Sequence, residues 1–180
     1  MMDPPPCCLI TGGGGFVLMH VARTYLESVA GSSVVLFDRR FDEAARALLA
    51  PHHARVVYFE GDVTERAAWL RVRREWSARI THIVAGAALT PTDADERARP
   101  ADVLRVNLFG CVNALELARG LGEQLRRFVF ISSDGVYGTP GLARPEACAA
   151  LPAGAAARAS TWGDAGRPAP PGLYSLSKWT

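Results

Sequence analysis

No apolar run in the 180-residue sequence approaches the roughly 20 residues that a membrane-spanning helix needs. An excess of charge is also lacking: 20 basic residues against 18 acidic ones leave a net charge of +2. That is too little to argue for nucleic acid or a membrane surface as a partner. The four cysteines have no metal-ligand spacing and make no disulfide framework, so no metal site is read from them. Cys7 and Cys8 are neighbours in an apolar run; on a strand they face opposite ways as small buried hydrophobes. His52-His53 has no companion ligands and reads as a loop pair. The opening Met1-Met2-Asp3-Pro4-Pro5-Pro6 has neither a basic region nor a signal-length apolar core, so a cytoplasmic setting is expected. No internal repeat is visible. What is present is an ordinary mixture, 49% apolar and 21% charged, in a chain long enough for one domain with a full core.

The stretch Cys7-Cys8-Leu9-Ile10-Thr11-Gly12-Gly13-Gly14-Gly15-Phe16-Val17 organises the chain. A short apolar run stops at four glycines and a helical pattern follows at once, which reads as strand, phosphate-binding turn and helix. Glycine tolerates positive φ and lets a pyrophosphate approach the backbone, while the helix points its free N–H groups at the phosphates. Leu18, Val21, Ala22, Tyr25, Leu26 and Val29 form the apolar stripe of a helix over 16–30. The apolar run 34–37 is then a strand of the kind covered on both faces, and it ends in Asp38. An acid at that tip, about 20 residues beyond the glycines, can accept hydrogen bonds from an adenosine ribose and repels a 2′-phosphate. Asp38 therefore favours NAD over NADP. Arg39 and Arg40 follow and could hold a phosphate, which keeps NADP as the lesser option.

Residues 42–50 read as a short helix stopped by Pro51, and 56–59 as a third strand followed by Glu60-Gly61-Asp62-Val63. Thr64 is placed to cap a helix carrying Ala68, Trp69, Val72 and Trp76, with both tryptophans in the core. Residues 80–85 form a fourth strand that runs into Ala85-Gly86-Ala87-Ala88. Such small residues either admit a flat ligand close to the backbone or serve plain close packing. A polar loop over 90–100 precedes the longest helix, 102–121, in which Asn107 is either a buried polar contact or a ligand contact. Residues 128–131 are a fifth strand ending in Ser132-Ser133-Asp134. Alternating strands and helices with short connections imply an α/β fold, a doubly wound parallel sheet with right-handed crossovers. Ligands of such sheets bind at the carboxyl ends of the strands. The glycines, Asp38, Asp62, the Ala87 run and Ser133 all fall there. The domain reading is a cofactor core over 1–138, an Ala/Gly/Pro-rich loop over 139–172, and the start of a last helix over 173–180.

These fragments together resemble the extended short-chain dehydrogenase/reductase superfamily, in its NAD-dependent epimerase/dehydratase branch. Thr11-Gly12-Gly13-Gly14-Gly15-Phe16-Val17 is similar to its cofactor turn, Gly61-Asp62-Val63 to its adenine-side contact, and Ala87-Ala88 to its small pair beside the cofactor. Val106-Asn107-Leu108-Phe109-Gly110 resembles its helix-four motif, and Ser132-Ser133-Asp134-Gly135-Val136-Tyr137-Gly138 its serine loop. Tyr174-Ser175-Leu176-Ser177-Lys178 fits its Tyr-x-x-x-Lys pair. The resemblance implies a Rossmann fold with NAD held by Gly12, Gly15, Phe16, Val17, Asp38, Arg39, Asp62, Val63, Gly86, Ala87, Ala88, Asn107, Tyr174 and Lys178. It implies Ser133, Tyr174 and Lys178 as the catalytic set. In that scheme the Lys178 ammonium lowers the phenol pKa, ordinarily near 10, so that Tyr174 exchanges a proton with a substrate hydroxyl. Hydride passes to the nicotinamide, Lys178 bonds its ribose, and Ser133 bonds the reacting oxygen.

The chain also departs from the family pattern. Leu18 stands at the last glycine of the turn, so the helix must shift or cofactor affinity suffers. Ala85-Gly86 stands where many members have His-Leu. The stretch between Ser133 and Tyr174 is longer than usual, and Gly135 after Asp134 replaces the glutamate of nucleotide-sugar dehydratases, which favours epimerisation or alcohol oxidation. The sequence ends two residues after Lys178, whereas the family continues for well over a hundred residues. The expectation is a truncated form with weak or no turnover, whose last helix is too short to hold Tyr174 and Lys178 still. The complete parent would act on a sugar or nucleotide-sugar and pair as a homodimer. The alternative is a non-catalytic Rossmann-like module that binds a dinucleotide or a protein.

Overall fold

Apolar strands joined by helices leave a parallel sheet covered on both faces, and the computed structural model has that form. It describes residues 5–133, 136 and 173–178; the expected loop over 139–172 lies outside the described residues, as do Asp134, Gly135, Tyr137 and Gly138. The strands are β1 (Cys7–Thr11), β2 (Ser33–Asp38), β3 (Val56–Glu60), β4 (His82–Ala85) and β5 (Arg127–Phe130). All neighbouring strands pair parallel, in the order β3-β2-β1-β4-β5. The order reverses direction beside β1, which is where such sheets open a crevice at their carboxyl edge.

Residue parity sorts the core into two layers. Cys7, Leu9, Val35, Phe37, Ile83 and Ala85 pack with Val72 and Trp69 of α3 (Arg66–Trp76) and with Ala114 and Leu117 of a later helix. Cys8, Ile10, Val34, Leu36 and Val84 face Leu18, Ala22 and Leu26 of α1 (Phe16–Ser28) and Leu49 of α2 (Glu43–Leu49). The adjacent cysteines thus face opposite layers. Trp69 is buried with its Nε1 donating to the Val63 carbonyl at 2.7 Å, while Trp76 is half-buried at the margin of the same layer.

Several boundaries differ from expectation for local reasons. The α-helix does end before Pro51, as expected, but the chain continues into a 3₁₀ segment, Ala50–Arg55, with Pro51 in its first turn, where its fixed φ is compatible and its missing N–H costs nothing. The two histidines lie on that segment. Helix α3 starts one residue later than expected, after Glu65, and has no side-chain cap; Thr64 is instead in a turn whose N–H bonds Asp62 Oδ1 at 2.8 Å. The polar stretch before residue 100 contains α4 (Asp93–Ala98). Its acid-rich sequence has no apolar stripe, so no helical period announced it. The longest helix begins at α5 (Pro100–Leu104), passes through a π-helical turn, Arg105–Phe109, and continues as α6 (Gly110–Leu121). The Gly110 N–H reaches back five residues to Arg105 O, the widened turn of a π segment. A last helix, α7 (Leu173–Ser177), packs on α5 and the π turn.

The strand tips are stitched by Thr11. Its hydroxyl oxygen accepts the N–H groups of Gly86 at 3.1 Å and Ala87 at 3.2 Å, and it is buried. Thr11→Val keeps the shape and removes the acceptor, leaving two N–H groups without it. The expected loss is about 1–3 kcal/mol, seen as a lower urea midpoint at unchanged slope, whereas Thr11→Ser stays close to wild type.

Candidate functional site

A cavity of about 450 Å³ opens at the carboxyl edge of the sheet. Its first wall is the glycine turn, through Gly12, Gly15, Phe16 and Val17. Gly12 has φ +75°, and a Cβ there would stand 2.8 Å from the Ala87 Cα, so glycine is required for both conformation and space. The first turn of α1 has no side-chain cap and no acidic residue. Its N–H groups and positive dipole end are therefore a place for an anion.

At the tip of β2, Asp38 and Arg39 line the cavity. Asp38 is fixed by backbone donors: Oδ2 accepts Gly14 N–H at 2.9 Å and Oδ1 accepts Arg39 N–H at 2.7 Å. A side chain at Gly14 would come within 2.4 Å of Arg40 O, so the glycine lets the segment after β2 close onto the turn. Asp62 and Val63 line the cavity beyond β3, and Gly86, Ala87 and Ala88 line it beyond β4.

Tyr174 and Lys178 of the last element complete the wall. The short α7 is clamped at several points. Glu96 Oε1 of α4 accepts the Tyr174 N–H. Ser132 Oγ donates to Lys178 O at 3.0 Å, and Lys178 Nζ donates to Ile131 O at 3.0 Å. Asn107 Nδ2 donates to Ser177 Oγ at 3.1 Å, and Ser177 Oγ donates to Tyr174 O at 2.7 Å. Ser175, Ser177 and Lys178 are buried. The helix expected to be loose is therefore tied to three other elements.

Two expected residues stand elsewhere. Asn107 does not line the cavity. It is 1% exposed, and its amide is committed to the Leu89 backbone, accepting Leu89 N–H at 2.7 Å and donating to Leu89 O at 3.0 Å. Of the two alternatives, its side chain is the buried polar contact. Ser133 is not among the lining residues; its neighbour Ser132 is. Residues not anticipated also contribute: Leu89 and Thr90 on the wall, Glu96 and Ser177 as clamps, and Asn113, whose Nδ2 donates to Val63 O at 3.0 Å. Asn113 had no signal, since six residues beyond Asn107 is not a same-face spacing on a helix. Glu96 had none.

The model of the NAD dependent epimerase/dehydratase family matches residues 8–158. The chain belongs to that family. It is similar to the solved structure of the Bordetella bronchiseptica enzyme WbmG in complex with NAD, at 24% identity and a TM-score of 0.69, over 98% of this chain and 48% of that one. It is similar to the UDP-glucose 4-epimerase of Thermus thermophilus in complex with NAD, at 26% identity and 0.66, over 96% and 47%. A third likeness is to dTDP-glucose 4,6-dehydratase from Bacillus anthracis in complex with NAD, at 22% and 0.65, over 97% and 47%. The chain thus spans about half the length of these structures. No curated protein sequence matches it. Among the described residues no helix is long and apolar enough to cross a membrane.

Burial pushes the Lys178 ammonium below its ordinary pKa of 10.5, against a smaller opposing effect of Cys111. Its Nζ also lies 5.2 Å from the centre of the Phe130 ring. Between the lowered value and 10.5 the unfolded chain binds more protons than the folded one, so stability rises with pH across that interval. Below the interval both states are protonated and the buried charge is a constant cost. Wild type is expected to gain unfolding free energy relative to Lys178→Met as the pH climbs from neutral towards 10.5. Urea titrations of both proteins across that range check it; a difference that stays flat contradicts it.

Proposed function

We propose that this chain is the dinucleotide-binding part of an epimerase, dehydratase or dehydrogenase acting on a sugar or nucleotide-sugar, with NAD as its cofactor. The observation that carries this reading is that Tyr174 and Lys178 share one cavity with the glycine turn and Asp38. A nicotinamide dinucleotide, when bound, supplies the hydride acceptor. The uncapped start of α1 and the approach left open at Gly12 suit its diphosphate, and the fixed Asp38 carboxylate suits a ribose diol. Solved relatives described as complexes with NAD, and one with NAD and UDP, support the same choice. Tyr174 would move the proton at its phenolic oxygen. Lys178, with one N–H on Ile131 O, would offer its remaining donors to the nicotinamide ribose and its charge to the phenolate. Ser133 would bond the reacting oxygen, and pairing as a homodimer belongs to the same reading.

The placement of Ser133 outside the lining favours a second reading, a module that binds a dinucleotide without turning it over. Titration calorimetry with NAD, followed by NADH absorbance and product analysis after adding a panel of nucleotide-sugars, separates the two. NADH formation, or an epimerised or dehydrated product, at a rate that falls by about 10²–10⁴-fold in Tyr174→Phe with NAD affinity kept, supports the enzyme. Binding with neither NADH formation nor conversion of any sugar supports the module. Loss of NAD heat in wild type sinks both.

Asp38→Ala removes the charge that repels a 2′-phosphate while Arg39 and Arg40 stay. The preference for NAD over NADP is expected to narrow or reverse, measured by titrating both dinucleotides. An unchanged preference removes Asp38 as the selector.

A further inference from the structure

Leu18, in the first turn of α1, and Gly86, just beyond β4, both line the cavity. They are also two of the positions where the sequence departs from the family pattern, and in the folded chain they meet. A β-carbon on Gly86 would stand 2.7 Å from Cδ1, 3.0 Å from Cγ and 3.2 Å from Cδ2 of Leu18. Carbon atoms pack at about 3.5–4.0 Å, so the Leu18 side chain already occupies the space of a side chain at 86. Backbone conformation does not explain the glycine. The described glycines with positive φ are Gly12, Gly31 and Gly122, not Gly86.

The Gly86 backbone has no room to yield, and Leu18 can yield in one direction, into the cavity. The Gly86 N–H is held by Thr11 Oγ1, and the following Ala87 backbone lies against Gly12 so closely that a Gly12 Cβ would be 2.9 Å from Ala87 N. The segment cannot retreat from α1 towards β1. On its core side Leu18 is packed in the layer of Ile10, Ala22 and Val84, and a close-packed interior does not absorb an added methyl group freely. The open side of Leu18 is the cavity itself.

We propose that Leu18 and Gly86 are a mutually dependent pair that sets the floor of the cavity, so that residue 18 decides what size of residue 86 the site accepts. The proposal rests on reading the cavity as a dinucleotide seat. A leucine at the start of α1 leaves the seat open because position 86 has no side chain. A side chain at 86 drives Leu18 towards the seat, and shortening residue 18 makes room again.

The test is Gly86→Ala made in the wild type and in the Leu18→Ala background, using the full chain. NAD affinity is measured by calorimetry and the urea midpoint without dinucleotide. In the wild type, Gly86→Ala is expected to weaken NAD binding by about tenfold or more and to lower the midpoint; in the Leu18→Ala background it changes affinity by less than about twofold and leaves the midpoint in place. Equal effects in the two backgrounds overturn the pair. Should the wild type show no NAD heat, the dinucleotide reading fails, and the four urea midpoints alone decide whether the two positions are coupled.

Discussion

Gly12 touches three strand ends at once, and the rest of the site depends on that contact. Its N–H donates to Phe37 O at the end of β2 at 2.9 Å, and its missing side chain lets the Ala87 backbone beyond β4 close against it. One residue earlier, Thr11 holds the same segment through two N–H groups. β1, β2 and the chain leaving β4 therefore meet within two residues. The direction of α1, the distance from the turn to Asp38 and the height of Ala87 all follow from this junction. Its positive φ fits glycine, and so does the close approach; a larger residue would violate both requirements together.

The far end of the site follows a different logic. An isolated helix of five residues has no stability of its own in water, because the cost of its first turn is not recovered by so few bonds. Here α7 borrows order from its surroundings. Glu96 and Asn107 each hold one of its polar groups, Ser132 and Ile131 hold Lys178 just after it, and Ser175, Ser177 and Lys178 are buried. Tertiary hydrogen bonds replace length. Nζ of Lys178 is thereby fixed to the end of β5, the same strand whose following residues enter the cavity wall.

The sheet and most of the cavity were legible because they are written in short-range patterns. Apolar runs of four to six residues, glycines after the first and an acid after the second give strands, turn and tip without any knowledge of contacts. Fifteen family positions named in advance could be sought one by one, and thirteen of them line the cavity, Asn107 and Ser133 being the exceptions. What was not legible is long-range. Glu96 is an ordinary acid in a polar stretch until α7 arrives 78 residues later. The π turn is invisible to a helical period, since it changes spacing by one residue within a continuous apolar pattern. Leu18 reads as an obstacle when taken alone; only the coordinates of Gly86 show why it fits.

Asn107 shows how finely the clamp is balanced. Its oxygen faces a donor and its nitrogen faces two acceptors, Leu89 O and Ser177 Oγ. Deamidation would leave its outline almost unchanged, yet it would turn the nitrogen into an oxygen that faces the Leu89 carbonyl, in a place with 1% exposure. A single hydrolysed amide would thus loosen the helix that carries Tyr174, so chemical ageing at this one side chain reaches a wall of the cavity that it does not itself line.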